Sequence, residues 1–404
     1  MFKNFKKRLH KKADVEIQIN WIFIIIVGGI ILIFFIGLIT KQKTVSTTKL
    51  NINIRESLDT IFTSSQVASG TANLINTPDL EVDFDCDNYY VGEFDSGINK
   101  GLGQTRIIFV PDRLQGKQLV TWSLEWNMPY KIVDFLYLIP KEMRYIFVYD
   151  SSTKEFIEEI YNLLPKDVNK EIYEFSIFAD GTTIQYTNSY KTKFIAALSP
   201  ASACVNSPNT CPIHDSFDGK DISFLNIIPS TNKESGEAVF SIYSKDQTNN
   251  AYDFNYARTT EDASTFKYID YNPDFVTEKR YPTLLGAIIT DNTDIYECML
   301  KRALKRHSYI TSIYDRRVQQ IITATKQDGN PLKQRNCVEG MYEVTDPIQL
   351  GNLGSCQTAN PLPCLSATIE NCKGDLANCN PYDDVLALVS VNKKAQDNSC
   401  PLIY

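Results

Sequence analysis

Residues 145–178 read YIFVYDSSTKEFIEEIYNLLPKDVNKEIYEFSIF. The run from Tyr145 to Tyr149 is apolar and aromatic, stops at Asp150, and has the length and residue types of a buried strand. Ser151, Ser152 or Thr153 can cap the helix that follows, with Phe156, Ile160, Leu163 and Leu164 on its inner face. Tyr173 to Phe178 then reads as the next strand. Strand, helix and strand at this spacing make a right-handed crossover between parallel neighbours. Asp180-Gly181 separates EIYEFSIFA from TTIQYTN, the signature of a hairpin. Parallel and antiparallel pairing together predict an α/β or α+β domain with a mixed sheet flanked by helices.

Outward from this unit, residues 106–110, 119–124, 238–243 and 284–290 are strand-like. Residues 291–306 look helical, and a second helix is expected from Tyr309 to about Lys326, ended by Asp328-Gly329 and Pro331. Lys301, Arg302, Lys305, Arg306, Arg316 and Arg317 give that pair a basic face. A solvated face is the default for such a run, and docking to an acidic partner or lipid headgroup is the sharper alternative. Residues 331–404 hold six of the ten cysteines among many Pro, Asn and Gly, so regular structure should be sparse there and disulfides should stand in for core. DVLALVSV, residues 384–391, fits one strand or a short helix.

Upstream, Trp21 to Thr40 reads WIFIIIVGGIILIFFIGLIT, twenty residues without a charge. As a helix it covers about 30 Å, one hydrocarbon core. Its length and the absence of a small-x-small site argue for an uncleaved anchor over a secretory signal. Lys3, Lys6, Lys7, Arg8, Lys11 and Lys12 precede it, whereas Lys41, Lys43 and Lys49 follow, which predicts a cytoplasmic N-terminus and an extracytoplasmic C-terminal domain. The expected organisation is a basic arm (1–20), a transmembrane helix (21–40), a helical stalk (41–78), an α/β ectodomain (79–330) and a Cys-rich region (331–404). In the stalk, Leu50, Ile54, Leu58 and Ile61 share one helical face, and Gly70 is the expected stop.

The chain carries a net charge of −7, and its basic arm makes the remainder more acidic still. An acidic exterior gives no electrostatic footprint for nucleic acid. Cys86, Cys204, Cys211, Cys298, Cys337, Cys356, Cys364, Cys372, Cys379 and Cys400 all lie beyond the apolar run. An even number in an oxidising compartment favours disulfides. Cys204–Cys211 is the one pair assigned, closing a loop rich in Pro, Ser and Asn. No C-x-x-C occurs, which weighs against structural zinc. No N-x-[ST] sequon occurs, so glycosylation through it is not expected.

Candidate chemistry is thin. Asp83, Asp85 and Asp87 alternate, share one side of an extended segment, and with Glu93 could supply the hard oxygens that calcium takes. The loop departs from an EF-hand, with Asn88 where Gly is required and Phe94 where the bidentate Glu is required. His214-Asp215 lacks a matching nucleophile motif. Gly101-Leu102-Gly103 lacks the third glycine of a dinucleotide fingerprint. The aromatic segment 122–137, WSLEWNMPYKIVDFLY, reads as core before it reads as ligand pocket. No catalytic residue and no resident cofactor beyond possible calcium is assigned.

The basic leader ending Lys11-Lys12-Ala13, followed by an apolar helix continuing as a stalk under an α/β head, resembles archaeal type IV pilin-like proteins. The head and Cys-rich tail resemble single-span archaeal envelope proteins. The first resemblance covers about the first 70 residues and implies leader cleavage at Lys12–Ala13 or Ala13–Asp14 and a filament subunit. Asp14, Glu16, Gln18 and Asn20 separate that point from the apolar run, unlike the pilin pattern, and the large head would suit a minor or tip subunit. Three functions are carried forward: a membrane-anchored surface protein with structural or interaction roles and protein partners, a pilin-like subunit that forms homo-oligomers or filaments, and a tethered ligand-binding protein or hydrolase.

Overall fold

The computed structural model of this chain describes residues 6–67, 70–91, 107–179, 189–198, 221–229, 238–244, 265–267, 281–327, 329, 337, 339–343, 360–376 and 379–404. They divide into two units, Met1–Leu58 and Asp59–Tyr404.

Helix α1 (Lys6–Val67) is continuous over 62 residues. Within the first unit its stretch Phe23–Gln42 is long and apolar enough to cross a membrane. Phe23, Ile33 and Phe34 are each more than 60% exposed, with Phe23 at 66% and Ile33 at 71%. A helix that hides none of its large apolar side chains in protein has no soluble core to serve. Near its end Thr40 Oγ1 donates to the Ile36 and Gly37 carbonyls at 3.0 Å, so the hydroxyl adds no unsatisfied polar group to the apolar stretch. The distal buried stripe of α1 is Ile54, Leu58 and Phe62. Ile61, expected on that face, is half-buried, because a strict four-residue step passes through Phe62 instead. Gly70 adopts φ of 81°, and β1 begins two residues later.

The second unit holds two mixed sheets. The first contains β1 (Ala72–Phe84), β2 (Tyr89–Val91), β3 (Ile108–Phe109), β4 (Arg113–Asn127) and β5 (Lys131–Pro140), ordered β2-β1-β4-β5-β3. All neighbours are antiparallel except β3 and β5. The second contains β6 (Met143–Tyr149), β7 (Lys170–Glu174), β8 (Lys191–Ala197), β9 (Asp221–Pro229), β10 (Ala238–Ser244) and β11 (Thr265–Lys267), ordered β11-β10-β9-β8-β6-β7. Its half β7-β6-β8-β9 is parallel, and β10 and β11 extend it antiparallel.

The crossover read from residues 145–178 is present: β6, helix α2 (Lys154–Leu163), then β7 alongside β6 in parallel. Its buried face is Ile157, Ile160 and Leu164; Phe156 and Leu163, expected inside, are only partly buried. The expected strand 173–178 splits. β7 stops at Glu174, and the short helix α3 (Ser176–Ala179) follows, so the segment before Asp180 is not one arm of a hairpin. Residues 180–188 lie outside the described residues.

Three further expectations change. Residues 284–290 are not a strand but most of α4 (Pro282–Ile289), every residue of which is buried. A short apolar run fits buried strand and buried helix equally, and Pro282 at the first helical position was the deciding signal. The two helices expected over 291–326 are one, α5 (Thr293–Thr325), because no Gly or Pro interrupts it. Asn292 caps it, its side chain accepting from Asp294 N at 2.8 Å and Ile295 N at 3.3 Å. The tail is not sparse: α6 (Pro361–Gly374) and α7 (Tyr382–Asp397) carry Leu362, Leu365, Val385 and Leu388 into the same core as the sheets. A helical period hidden under the cysteines supplies core there, and disulfides add to it.

Helix α4 is the internal element. It packs on β3, β4 and β5. An added Cβ on its Gly286 would come within 2.8 Å of the Phe109 ring, so only glycine permits that approach. The C-terminal carbonyls of α4 meet a side chain of β8 in the other sheet.

Candidate functional site

That side chain is Lys193. Lys191, Lys193, Ile195 and Ala197 fall on one side of β8, since side chains alternate along a strand. Ile195 and Ala197 belong to the core, and the two lysines are drawn in with them. Lys193 is fully buried. Its Nζ donates to the Ala287 carbonyl at 2.7 Å and to the Thr290 carbonyl, meeting the negative end of α4. Burial pulls the amine down to about 7, against the opposing pull of Asp291.

Lys191 stands two residues earlier, at the mouth of the same pocket of charge. Its Nζ contacts Asp291 Oδ2 and lies 2.9 Å from Asp112 Oδ1. Asp291 directly follows the α4 cap, and its side chain is wholly buried, whereas that of Lys191 is 10% exposed. Asp112 precedes β4, and its backbone N–H donates to Asp291 Oδ1 at 2.6 Å. Burial raises the Asp291 carboxyl above the usual carboxylate range, although Lys191 pulls the other way. Asp112 is also raised by burial, but the Lys191 charge and hydrogen bond more than reverse this and leave it low. For Lys191, burial lowers the amine and the two carboxylates outweigh that, so it stays high. The cluster thus joins β8 of the second sheet to the β3–β4 connection of the first and to the junction of α4 with α5.

A second location follows from topology. The parallel strands order β7-β6-β8, so the chain leaves β6 toward one side and returns on the other. The ends of β6 and β8 at this reversal are where open α/β sheets bind ligands. Asp150 sits there, but its Oδ1 is occupied by its own loop. It accepts from Ser152 N at 2.9 Å, Ser152 Oγ at 2.6 Å and Thr153 N at 3.1 Å. Thr153 Oγ1 donates to the Ala197 carbonyl at 2.6 Å and ties the loop to β8. The loop is a fold device, a turn closed by Asp150 and stitched to the neighbouring strand by Thr153, which stands at the N-cap of α2 without making a side-chain cap bond.

The calcium candidates go separate ways. Asp83 pairs with Arg113 at 2.8 Å. Asp85 closes its own turn, accepting from Asp87 N, Asn88 N and Tyr90 OH. Asp87 pairs with Arg302 of α5 at 2.5 Å. Glu93 lies outside the described residues, and among those described no group of three or more His, Cys, Asp or Glu side chains could hold a metal. The acidic stretch therefore spends its charge on Arg113 and Arg302. The basic face of α5 is partly internal in the same way, with Lys301 on Glu297 as well as Arg302 on Asp87.

Trp122, Trp126 and Tyr130 are 6%, 0% and 5% exposed and form core, which removes them as the lining of an open pocket. Cys86 bonds Cys298, Cys337 bonds Cys400, and Cys372 bonds Cys379. Cys364 is disulfide-bonded as well. Cys204, Cys211 and Cys356 lie outside the described residues, as do His214 and Asp215. The Lys191–Asp112–Asp291 cluster was not anticipated. Its trace in the sequence is Lys-Thr-Lys-Phe-Ile-Ala-Ala: once Ile195 is placed inward, alternation places both lysines inward too.

Compared with models of known families, with curated proteins and with solved structures, this chain matches none.

Proposed function

We propose that this chain is a single-pass, membrane-anchored protein whose second unit works outside the cytoplasm in structural or adhesive contacts. One observation carries the reading: a twenty-residue apolar stretch of α1 exposes its large side chains, while the unit after it is closed by disulfides. Exposed Ile and Phe at that density are tolerated by lipid and not by water. Disulfides persist in oxidising compartments. The lysine and arginine excess ahead of the stretch orients it with the N-terminus inside. The aromatic segment is core and Asp83, Asp85 and Asp87 each hold a partner within the protein, so neither of these candidates supports a reading as an open ligand site. Protease added to sealed cells should degrade the second unit and spare an N-terminal tag. Protection of the second unit with loss of the tag would reverse the orientation.

The second reading is a pilin-like subunit, favoured by the unbroken run of α1 from the apolar stretch into the stalk. Such a helix is a ready spine for a filament of copies. N-terminal sequencing of the mature protein decides it: a start at Ala13 or Asp14 supports processing, and an intact leader removes it.

A further inference from the structure

We propose that Lys191 and Asp291 are joined by an intramolecular amide bond, formed by the protein itself with Asp112 as proton carrier. The three residues present the parts such a condensation needs. Lys191 Nζ contacts Asp291 Oδ2 as an ion pair, so the nitrogen that becomes the nucleophile on losing a proton is already against the carboxyl group. The Asp112 backbone N–H donates to the other oxygen, Oδ1, at 2.6 Å, and is placed to hold the negative charge that develops there when nitrogen adds to Cγ. The Asp112 side-chain oxygen is 2.9 Å from the same Nζ and can take its proton.

The balance closes without a co-reactant. The pair begins as an ammonium and a carboxylate. Asp112 takes a proton from Nζ and hands it to Oδ2, which makes the carboxyl neutral; the Nζ–Cγ bond then forms, and Oδ1 carries the charge. Oδ2 then leaves with two protons, both originally on Nζ and passed through Asp112. The products are one secondary amide and one water, with no electron transferred. Oδ1 becomes the amide carbonyl oxygen and keeps its bond from Asp112 N–H.

In open water this condensation is uphill and slow. Here the carboxyl is fully buried and the amine nearly so, and the reacting atoms are held in contact by three separate elements. Fixed contact of this kind supplies the effective concentration that speeds bond formation. Burial also disfavours the charged pair relative to a neutral amide, since both ions are costly away from solvent. Lys193 does not compete, because its Nζ is turned to the Ala287 and Thr290 carbonyls. The bond would clamp β8 of the second sheet to the α4–α5 junction, whose helix α4 packs on the first sheet, in the way the disulfides lock other parts of the second unit.

Mass spectrometry of the full chain, purified in detergent from its membrane and reduced, tests this directly. The intact mass should be lower than the sequence mass of the same mature N-terminus by one water. Trypsin should give a branched peptide joining residues 171–193 to 281–301. Asp291→Ala should have the full mass. Asp112→Asn, which keeps the electrophile and the backbone donor, should also have the full mass while retaining wild-type circular dichroism. A wild-type chain at full mass overturns the proposal, as does a water loss that maps to other residues. Cross-linked Asp112→Asn overturns it in the form stated, by removing the proton carrier.

Discussion

His307 sits in α5 with no exposure to solvent, its ring edge-on to Trp126 and Tyr130 at centroid distances of 5.9 and 5.5 Å. Among the described residues neither ring nitrogen has a partner in full hydrogen-bond geometry; the Met128 backbone beside it gives only partial relief. Burial therefore drives the imidazole down to about 3. The folded state refuses a proton that the unfolded chain accepts below about 6.5, so this contribution is complete above that pH and is lost as pH falls toward 3. Between pH 8 and pH 5 the loss is about 2 kcal/mol. Denaturant midpoints measured at the two values should fall for the wild type and fall markedly less for His307→Phe, which keeps an aromatic ring and has nothing to titrate. Equal slopes would mean that carboxylates, not His307, set the acid response. From the sequence this histidine is one of three and has no neighbour of note. Its significance comes from Trp126 and Tyr130 closing on its ring, contacts between residues far apart in the chain.

At the scale of elements, α4 shows how packing overrides local preference. Ala is favoured over Gly by about 1 kcal/mol inside a helix. Yet a methyl at position 286 would lie 2.8 Å from the Phe109 ring, itself packed against Phe135, Tyr137 and Tyr296. Overpacking a tight core costs about 1–3 kcal/mol, so Gly286→Ala should lower the thermal midpoint. Gly374, at the end of α6 with nothing near its added Cβ, is the control, and Gly374→Ala should hold or raise it. The same element explains what sequence could deliver. The β6–α2–β7 crossover was legible because a period-3.6 helix lay between two apolar runs, with Asp150 and polar turn residues marking its start. The α4 helix was not, because LLGAII has no polar face from which to read a period. Helix α6 was hidden differently, since cysteine and asparagine content suggested loops, whereas residues 384–391 of α7 fitted a short helix as well as a strand. The buried lysines of β8 were legible only after Ile195 was placed.

For the second unit as a whole, the disulfides set how much unfolded-state freedom is removed. Cys86–Cys298 spans 212 residues, Cys337–Cys400 spans 63 and Cys372–Cys379 spans 7. In the chain-entropy account the 63-residue closure is worth about 4 kcal/mol and the 7-residue closure about 2 kcal/mol. Cys337→Ala/Cys400→Ala should thus lower the denaturation free energy about twice as much as Cys372→Ala/Cys379→Ala, by urea titration. A ranking by separation alone would put Cys86–Cys298 first. That bridge, however, has a neighbour in the ion pair between Asp87 and Arg302, which joins the same two segments one and four residues away. Exposed pairs hold only about 0.2–1 kcal/mol, so the pair cannot replace the bond. Loss of Cys86–Cys298 should therefore still be the most damaging of the three, and Arg302→Ala should worsen it by less than 1 kcal/mol. If the double cysteine variant instead matches the 7-residue pair, the unfolded chain already keeps those segments together, and cross-link length no longer governs stability in this protein.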